Sequence, residues 1–307
     1  MGSLLQRVDA DASALLDVNP DIVRARLNRE PFVIGHRLAD HPLFTLPALI
    51  ELARKLPATD VEYNAGDLPV SVSSAQTPKT GLSIEETIRR IEECGSWMAL
   101  KFVERVPEYA SVLNRCLDEI ETLLGATTLA MRQREAFIFI SSPGSVTPFH
   151  FDPEYNFLLQ IRGSKTVNVF PRAILSEREV EERFSFQHRN LSFKDAYQAH
   201  AMPFVLTPGV GLHIPIAAPH WVKNGDNVSV SFSITFRTYA SEREAALYRF
   251  NAKLRARGIE PAPVHASAWR DSVKLTAYHS TRLILKPAKR LLASLRGAPD
   301  VERPARY

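Results

Sequence analysis

Apolar positions recur every three or four residues through the first third of the chain. The stretches "DIVRARLNRE" (21–30) and "TLPALIELARKL" (45–56) carry this spacing, which predicts amphipathic helices. "SIEETIRRIEECGSW" (83–97) opens with Ser83 followed by Glu86, a capping-box pattern at a helix start. "VPEYASVLNRCLDEIETLLG" (106–125) reads as one long amphipathic helix stopped by Gly125. Between these elements, 57–81 is loop-rich, with room for one short strand.

The texture changes near Glu135. "EAFIFISS", "NFLLQIRG", "KTVNVF", "PFVLTPG", "GLHIPI" and "NVSVSFSITF" are short, β-branched or aromatic, and punctuated by glycine and proline. Such strands at close spacing predict a sandwich or barrel. "KNGDN" (Lys223 to Asn227) predicts a hairpin turn. After it, Val228, Val230, Phe232 and Ile234 alternate with Ser229, Ser231, Ser233 and Thr235, so one face is apolar and the other suits a wet cavity. Helical spacing returns in "SEREAALYRFNAKLRARG", which ends at Gly258, and in a basic segment from about Ala268 to Leu295 interrupted by Pro287. Three regions follow: a mainly helical 1–126 packed on the core, an all-β core over 127–240, and a basic helical 241–307.

At 307 residues and 45% hydrophobic, the chain can bury a sizeable core. Two cysteines, Cys94 and Cys116, are too few for a disulfide scaffold and read as reduced thiols in a cytoplasmic protein. No apolar run approaches the length of a membrane span, and the first residues carry acids where a signal peptide would be apolar. The net charge of +4 is uneven: 241–307 holds 14 Lys/Arg against 6 Asp/Glu, so the remainder is acidic. Arg249, Lys253, Arg255, Arg257, Lys274, Arg282, Lys286, Lys289, Arg290 and Arg296 form a basic face for nucleic acid or an anionic membrane. The interspersed apolar residues Val273, Ala277, Ile284 and Leu291 equally suit packing on the body or a homodimer through the C-terminal helices.

The chemistry concentrates in "TPFHFDPEYNFLLQIRGSKTVNVF" (147–170). In a strand, residues two apart share a face, so His150 and Asp152 point one way and Phe149 and Phe151 the other. A third ligand stands in "PGVGLHIPIAAPHWVKN": His220, expected at a strand end before the turn, with His213 as rival. Two histidines and one carboxylate with open positions suit non-haem Fe(II), although zinc hydrolases use similar sets. Lys165 is costly to bury unless an anion meets it, which makes it a candidate socket for the far end of a dicarboxylate. Thr147 and Asn156 flank the pair as hydrogen-bond partners for a keto acid.

With these residues in view, Ala136 to Phe236 resembles the JmjC and cupin-like family of Fe(II)- and 2-oxoglutarate-dependent oxygenases, and within it the asparaginyl-hydroxylase branch. The resemblance rests on the H-x-D pair His150/Asp152, the distal His220, Lys165 fifteen residues after the first histidine, Thr147 three before it and Asn156 six after it. It implies an all-β double-stranded β-helix (jelly roll) decorated by N-terminal and C-terminal α-helices. It also implies Fe(II) on His150, Asp152 and His220, and 2-oxoglutarate held by Lys165 and Thr147 beside the metal. O2 would be the oxidant, with succinate and CO2 leaving as a protein side chain or small molecule is hydroxylated. That branch carries an asparagine and a tryptophan on the strand after the distal histidine. This chain has serines there, and Ser231 or Ser233 is the expected substitute. The stretch 176–202, with His188 and His200 as loop residues, reads as an insertion that shapes substrate choice. Two rival readings remain: a metal cupin that is not an oxygenase, such as an isomerase or ligand-binding module, and a regulatory protein acting through its basic tail.

Overall fold

The computed structural model describes residues 14–71, 80–125, 130–185 and 190–280. The chain divides into two compact units, Met1–Arg172 with Asn190–Thr238, and Ala173–Arg189 with Tyr239–Tyr307.

The first unit is built on two antiparallel sheets. Its strands are β1 (Leu16–Asp17), β2 (Phe32–His36), β3 (Val61–Ala65), β4 (Ser96–Lys101), β5 (Arg132–Ser141), β6 (Val146–His150), β7 (Tyr155–Arg162), β8 (Lys165–Val169), β9 (Met202–Leu206), β10 (Val210–Ile214), β11 (His220–Asn224) and β12 (Ser229–Arg237). Eight form one sheet in the order β1-β2-β10-β7-β12-β5-β4-β3, and four form the other in the order β6-β11-β8-β9. This is the jelly roll that the resemblance implied. The first 126 residues supply four strands of the large sheet as well as helices α1 (Pro20–Arg26), α2 (Leu46–Lys55), α3 (Ile84–Arg89) and α4 (Pro107–Leu124). Ser83 and Glu86 make the expected capping box on α3.

The alternation in β12 sorts the two sides of the large sheet. Val230, Phe232 and Ile234 join Ile138 and Ile140 of β5, Phe157 and Leu159 of β7, and Leu49, Leu52, Leu113 and Leu117 of α2 and α4 in one apolar core. Ser229, Ser231 and Ser233 lie on the opposite face, no more than 2% exposed. A smaller apolar cluster of Leu158, Val167, Val169, Leu206, Leu212, Ile214 and Val222 lies between the sheets.

The "KNGDN" turn joins two strands that do not pair. β11 pairs with β6 and β8, whereas β12 pairs with β5 and β7, so the turn carries the chain from one sheet to the other. A jelly roll uses such corners where a meander uses hairpins. The Arg162–Gly163 turn makes a second crossing, from β7 to β8. Gly163 has φ +68°, and a Cβ there would stand 2.3 Å from the Val228 carbonyl oxygen, so the two corners meet where only glycine fits.

The second unit is helical, with α5 (Glu177–Ser185), α6 (Tyr239–Arg255) and a helix over 268–280. The stretch expected as an insertion loop therefore begins with a helix. Ser176 and Glu179 cap it reciprocally, with Ser176 N–H donating to Glu179 Oε2 at 2.8 Å and Glu179 N–H to Ser176 Oγ at 3.3 Å. Phe184 stacks on Tyr248 at 5.0 Å, and the fully buried Glu181 carboxylate receives Asn251 Nδ2–H at 2.8 Å and the Arg255 guanidinium. His188 and the basic positions beyond residue 280, on which part of the dimer and anion-binding expectations rest, lie outside the described residues. Among the described residues, no helix is long and apolar enough to cross a membrane.

Gly163→Ala forces a side chain into the crossing and a left-handed backbone onto alanine. It should cost ~2 kcal/mol or more of stability, read from the urea midpoint.

Candidate active site

Strand pairing brings the metal ligands together. His220 opens β11 and lies directly opposite His150 on β6 and Val169 on β8. It therefore begins its strand; the sequence reading had it at a strand end. Asp152 lies beyond the end of β6, in the turn before β7, so the H-x-D pair spans a strand end and a turn. The turn is held by Ala217 N–H, which donates to the Asp152 carbonyl at 2.9 Å. One ligand atom from each of His150, Asp152 and His220 falls within 4.8 Å of the others. His220 Nε2 stands 3.8 Å from Asp152 Oδ2, and the imidazole rings are 4.2 Å apart. Together the three could hold a metal ion.

Neighbouring groups fix the donors. His150 Nδ1–H donates to the Pro148 carbonyl at 2.7 Å and His220 Nδ1–H to the Ala218 carbonyl at 3.0 Å. A carbonyl only accepts, so each ring carries its proton on Nδ1, the tautomer whose Nε2 is the ligating nitrogen. Asn156 Nδ2–H donates to Asp152 Oδ2 at 2.8 Å, and Ser233 Oγ–H donates to Asn156 Oδ1 at 2.8 Å. This chain runs from β12 through β7 to the carboxylate and sets its angle. It also gives Asn156 a role toward the ligand carboxylate that the sequence reading did not foresee.

His213, the rival ligand, is fully buried and occupied on both nitrogens. Asn28 N–H donates to its Nε2 at 3.0 Å, and its Nδ1–H donates to the Asn156 carbonyl at 3.0 Å. Burial pushes its pKa down to about 3. It is a neutral structural histidine that ties β10 to β7. His200 is exposed at the end of a short 3₁₀ segment.

Lys165 begins β8, flanked by Leu206 on β9 and Asn224 on β11. Its register gives it the same inward face as Val167, Val169, His220 and Val222. It is 6% exposed, and among the described residues its ammonium has neither a hydrogen bond nor an ion pair. Desolvation pushes its pKa from 10.5 down to about 7. Thr147 lies opposite Val222 on β6 and is half-buried. Ser231, expected against the co-substrate, donates instead to Gln160 Oε1 at 2.6 Å, and Gln160 Nε2–H reaches Ser229 Oγ at 3.0 Å. Gln160 had gone unremarked in the sequence. Its signal was an amide four residues after Asn156 on one strand, which puts both on the inward face.

Comparisons with known proteins bear on the domain that carries this set. The JmjC domain family model covers residues 119–243. It is 32% identical over 107 residues to lysine-specific demethylase 8 of Xenopus tropicalis, an alignment covering 30% of this chain and 22% of that protein. The chain thus spans about a fifth of the length of that curated relative. Its fold resembles the crystal structure of Escherichia coli ycfD, with a TM-score of 0.51, 18% identity, and 86% of this chain and 67% of that one covered. Another structure of that protein, titled a ribosomal oxygenase in complex with cobalt and 2-oxoglutarate, aligns with a TM-score of 0.47 at 17% identity, covering 89% of this chain and 68% of that one. The family-model match supports JmjC similarity over those residues, and the ycfD structure supports the fold; the asparaginyl-hydroxylase branch is not shown.

Asn156→Ala should weaken Co(II) binding by ~10–100-fold in an isothermal titration, because the Asp152 carboxylate loses its orienting donor. His213→Ala should cost ~2–4 kcal/mol of stability by stranding two backbone groups, yet leave the metal stoichiometry unchanged.

Proposed function

We propose that the chain is an Fe(II)- and 2-oxoglutarate-dependent oxygenase that hydroxylates a protein side chain or a small molecule. The observation that carries this reading is Lys165. A buried, uncompensated ammonium on the same inward face as a two-histidine, one-carboxylate set calls for an anionic group at a distance from a metal-chelating one. A dicarboxylic 2-oxo acid has that form. A metal cupin that works as an isomerase or binding module has no use for the cation.

The residues fit the implied groups. Imidazole nitrogens and a carboxylate suit Fe(II), and three protein donors would leave room on it for further ligands. Bound Fe(II) and 2-oxoglutarate, with O2, supply oxidative decarboxylation to succinate and CO2 together with insertion of one oxygen atom into a C–H bond of the substrate. The protein's part is to bind and orient. His150, Asp152 and His220 hold the metal, while the Pro148 and Ala218 carbonyls keep both imidazoles in the ligating tautomer. Lys165, assisted by Thr147, receives the distal carboxylate, a charge-assisted contact that orients the co-substrate. The apolar lining of Leu158, Val167, Val169 and Val222 restricts water around that contact and strengthens it. A cytoplasmic setting fits the two free cysteines.

The test is succinate release from Fe(II)-loaded protein with 2-oxoglutarate and O2. We expect slow uncoupled turnover in the wild type and none in Asp152→Ala. Unchanged release in Asp152→Ala would sink the proposal. Lys165→Met should move two properties in opposite directions. It removes the cost of desolvating the amine or stripping its proton, stabilising the empty protein by ~1–4 kcal/mol. It should also raise the 2-oxoglutarate requirement by ~100-fold, measured by thermal unfolding and by titration of Co(II)-loaded protein.

A further inference from the structure

Asn224 is the last residue of β11 and stands directly opposite Lys165 in the register. Along β11 the buried positions are His220, Val222 and Asn224, so the asparagine shares the inward face with the distal metal ligand. It is 4% exposed, and its Oδ1 is buried without a hydrogen-bond partner. The ordinary reason for asparagine at a turn is a side-chain oxygen that caps its own turn. That bond is not made here. The backbone needs no help either, since Asn224 N–H donates to the Ser145 carbonyl at 2.9 Å and Gly225 N–H to the Ser164 carbonyl at 2.9 Å. Two cross-strand neighbours, Lys165 and Asn224, are thus buried with no described partner for the ammonium or the amide oxygen, while apolar Leu206 flanks the lysine on its other side.

We propose that Asn224 is a second binding residue for the distal carboxylate of the co-substrate, acting with Lys165 as a two-point socket. The proposal rests on the 2-oxoglutarate reading above. A lysine is a point charge on a flexible stem and fixes no orientation alone. A carboxylate has two oxygens. One takes the ammonium and the other takes Asn224 Nδ2–H. The amide oxygen, an orphan otherwise, then accepts an N–H from the ammonium held beside it. Cross-strand neighbours on one face have Cβ atoms ~5 Å apart, close enough for both side chains to meet one carboxylate. The socket therefore recognises a carboxylate at the far end of the 2-oxo acid and discriminates against chains that end in a methyl group.

The test is calorimetric titration of full-length Co(II)-loaded protein with 2-oxoglutarate and with 2-oxopentanoate, which lacks the distal carboxylate. Wild type should bind 2-oxoglutarate at least ~100-fold more tightly. Asn224→Ala should weaken 2-oxoglutarate by ~10-fold or more, with 2-oxopentanoate unchanged. Asn224→Asp, equal in size and like-charged with the ligand, should weaken 2-oxoglutarate further while Co(II) affinity holds, and it keeps the question answerable if the alanine variant does not fold. Variants that bind 2-oxoglutarate as wild type does, or that lose both oxo acids equally, overturn the role of Asn224. A wild type that does not distinguish the two acids, or a Lys165→Met variant that binds 2-oxoglutarate normally, overturns the underlying reading instead.

Discussion

The site depends on the antiparallel pairing of β6, β11 and β8. Setting His220 opposite both His150 and Val169 places two imidazoles side by side. From there the two-residue repeat of a strand delivers every further group to the same face: Val222 and Asn224 along β11, Val167 and Lys165 along β8. A one-residue slip of β11 would turn His220 outward and bring the bulky Trp221 in. The corner at Gly163, closed against Val228, and the Pro148 and Ala218 carbonyls that anchor the imidazoles hold that register.

The large sheet carries the complementary constraint. Its outer face belongs to the apolar core with α2 and α4, which leaves its inner face free to hold polar groups. Those groups are not loose. Gln160 gathers Ser229 and Ser231, and Asn156 gathers Ser233 and the Asp152 carboxylate. A half-satisfied polar network in a core is expensive, and here the amides satisfy the serines pairwise. On the facing sheet, the Lys165 ammonium and the Asn224 amide oxygen have no such partner among the described residues.

Much of this was legible from residue types and spacing. The H-x-D pair, the distal histidine and the lone lysine stood out because charge inside an apolar strand run is conspicuous. The serine alternation in β12 announced a two-faced strand. Other features were hidden for physical reasons. In β4, Met98 and Leu100 face the outer core while Trp97 and Ala99 face inward, so the run shows no alternation and gives no strand signal. Asn224 sits in "KNGDN", where the turn signal overshadowed its even spacing from His220. The charged run in α5 obscured its capping pair, Ser176 and Glu179. Whether His213 or His220 bound metal needed three dimensions, because only the contacts from Asn28 and Asn156 reveal that both nitrogens of His213 are taken.

The central claim is that the buried amine of Lys165 is held ready for an anion: desolvation lowers its pKa to about 7, and an opposite charge beside it raises it again. At pH 8 the empty site is therefore mostly neutral, and seating a dicarboxylate must bring a proton with it. Calorimetric titration of 2-oxoglutarate into Co(II)-loaded protein at pH 8, repeated in buffers of different ionisation enthalpy, counts that proton. The account predicts uptake of about one proton by the wild type and none by the Lys165→Met variant. Binding with no proton uptake, or with uptake that persists without the lysine, would contradict it.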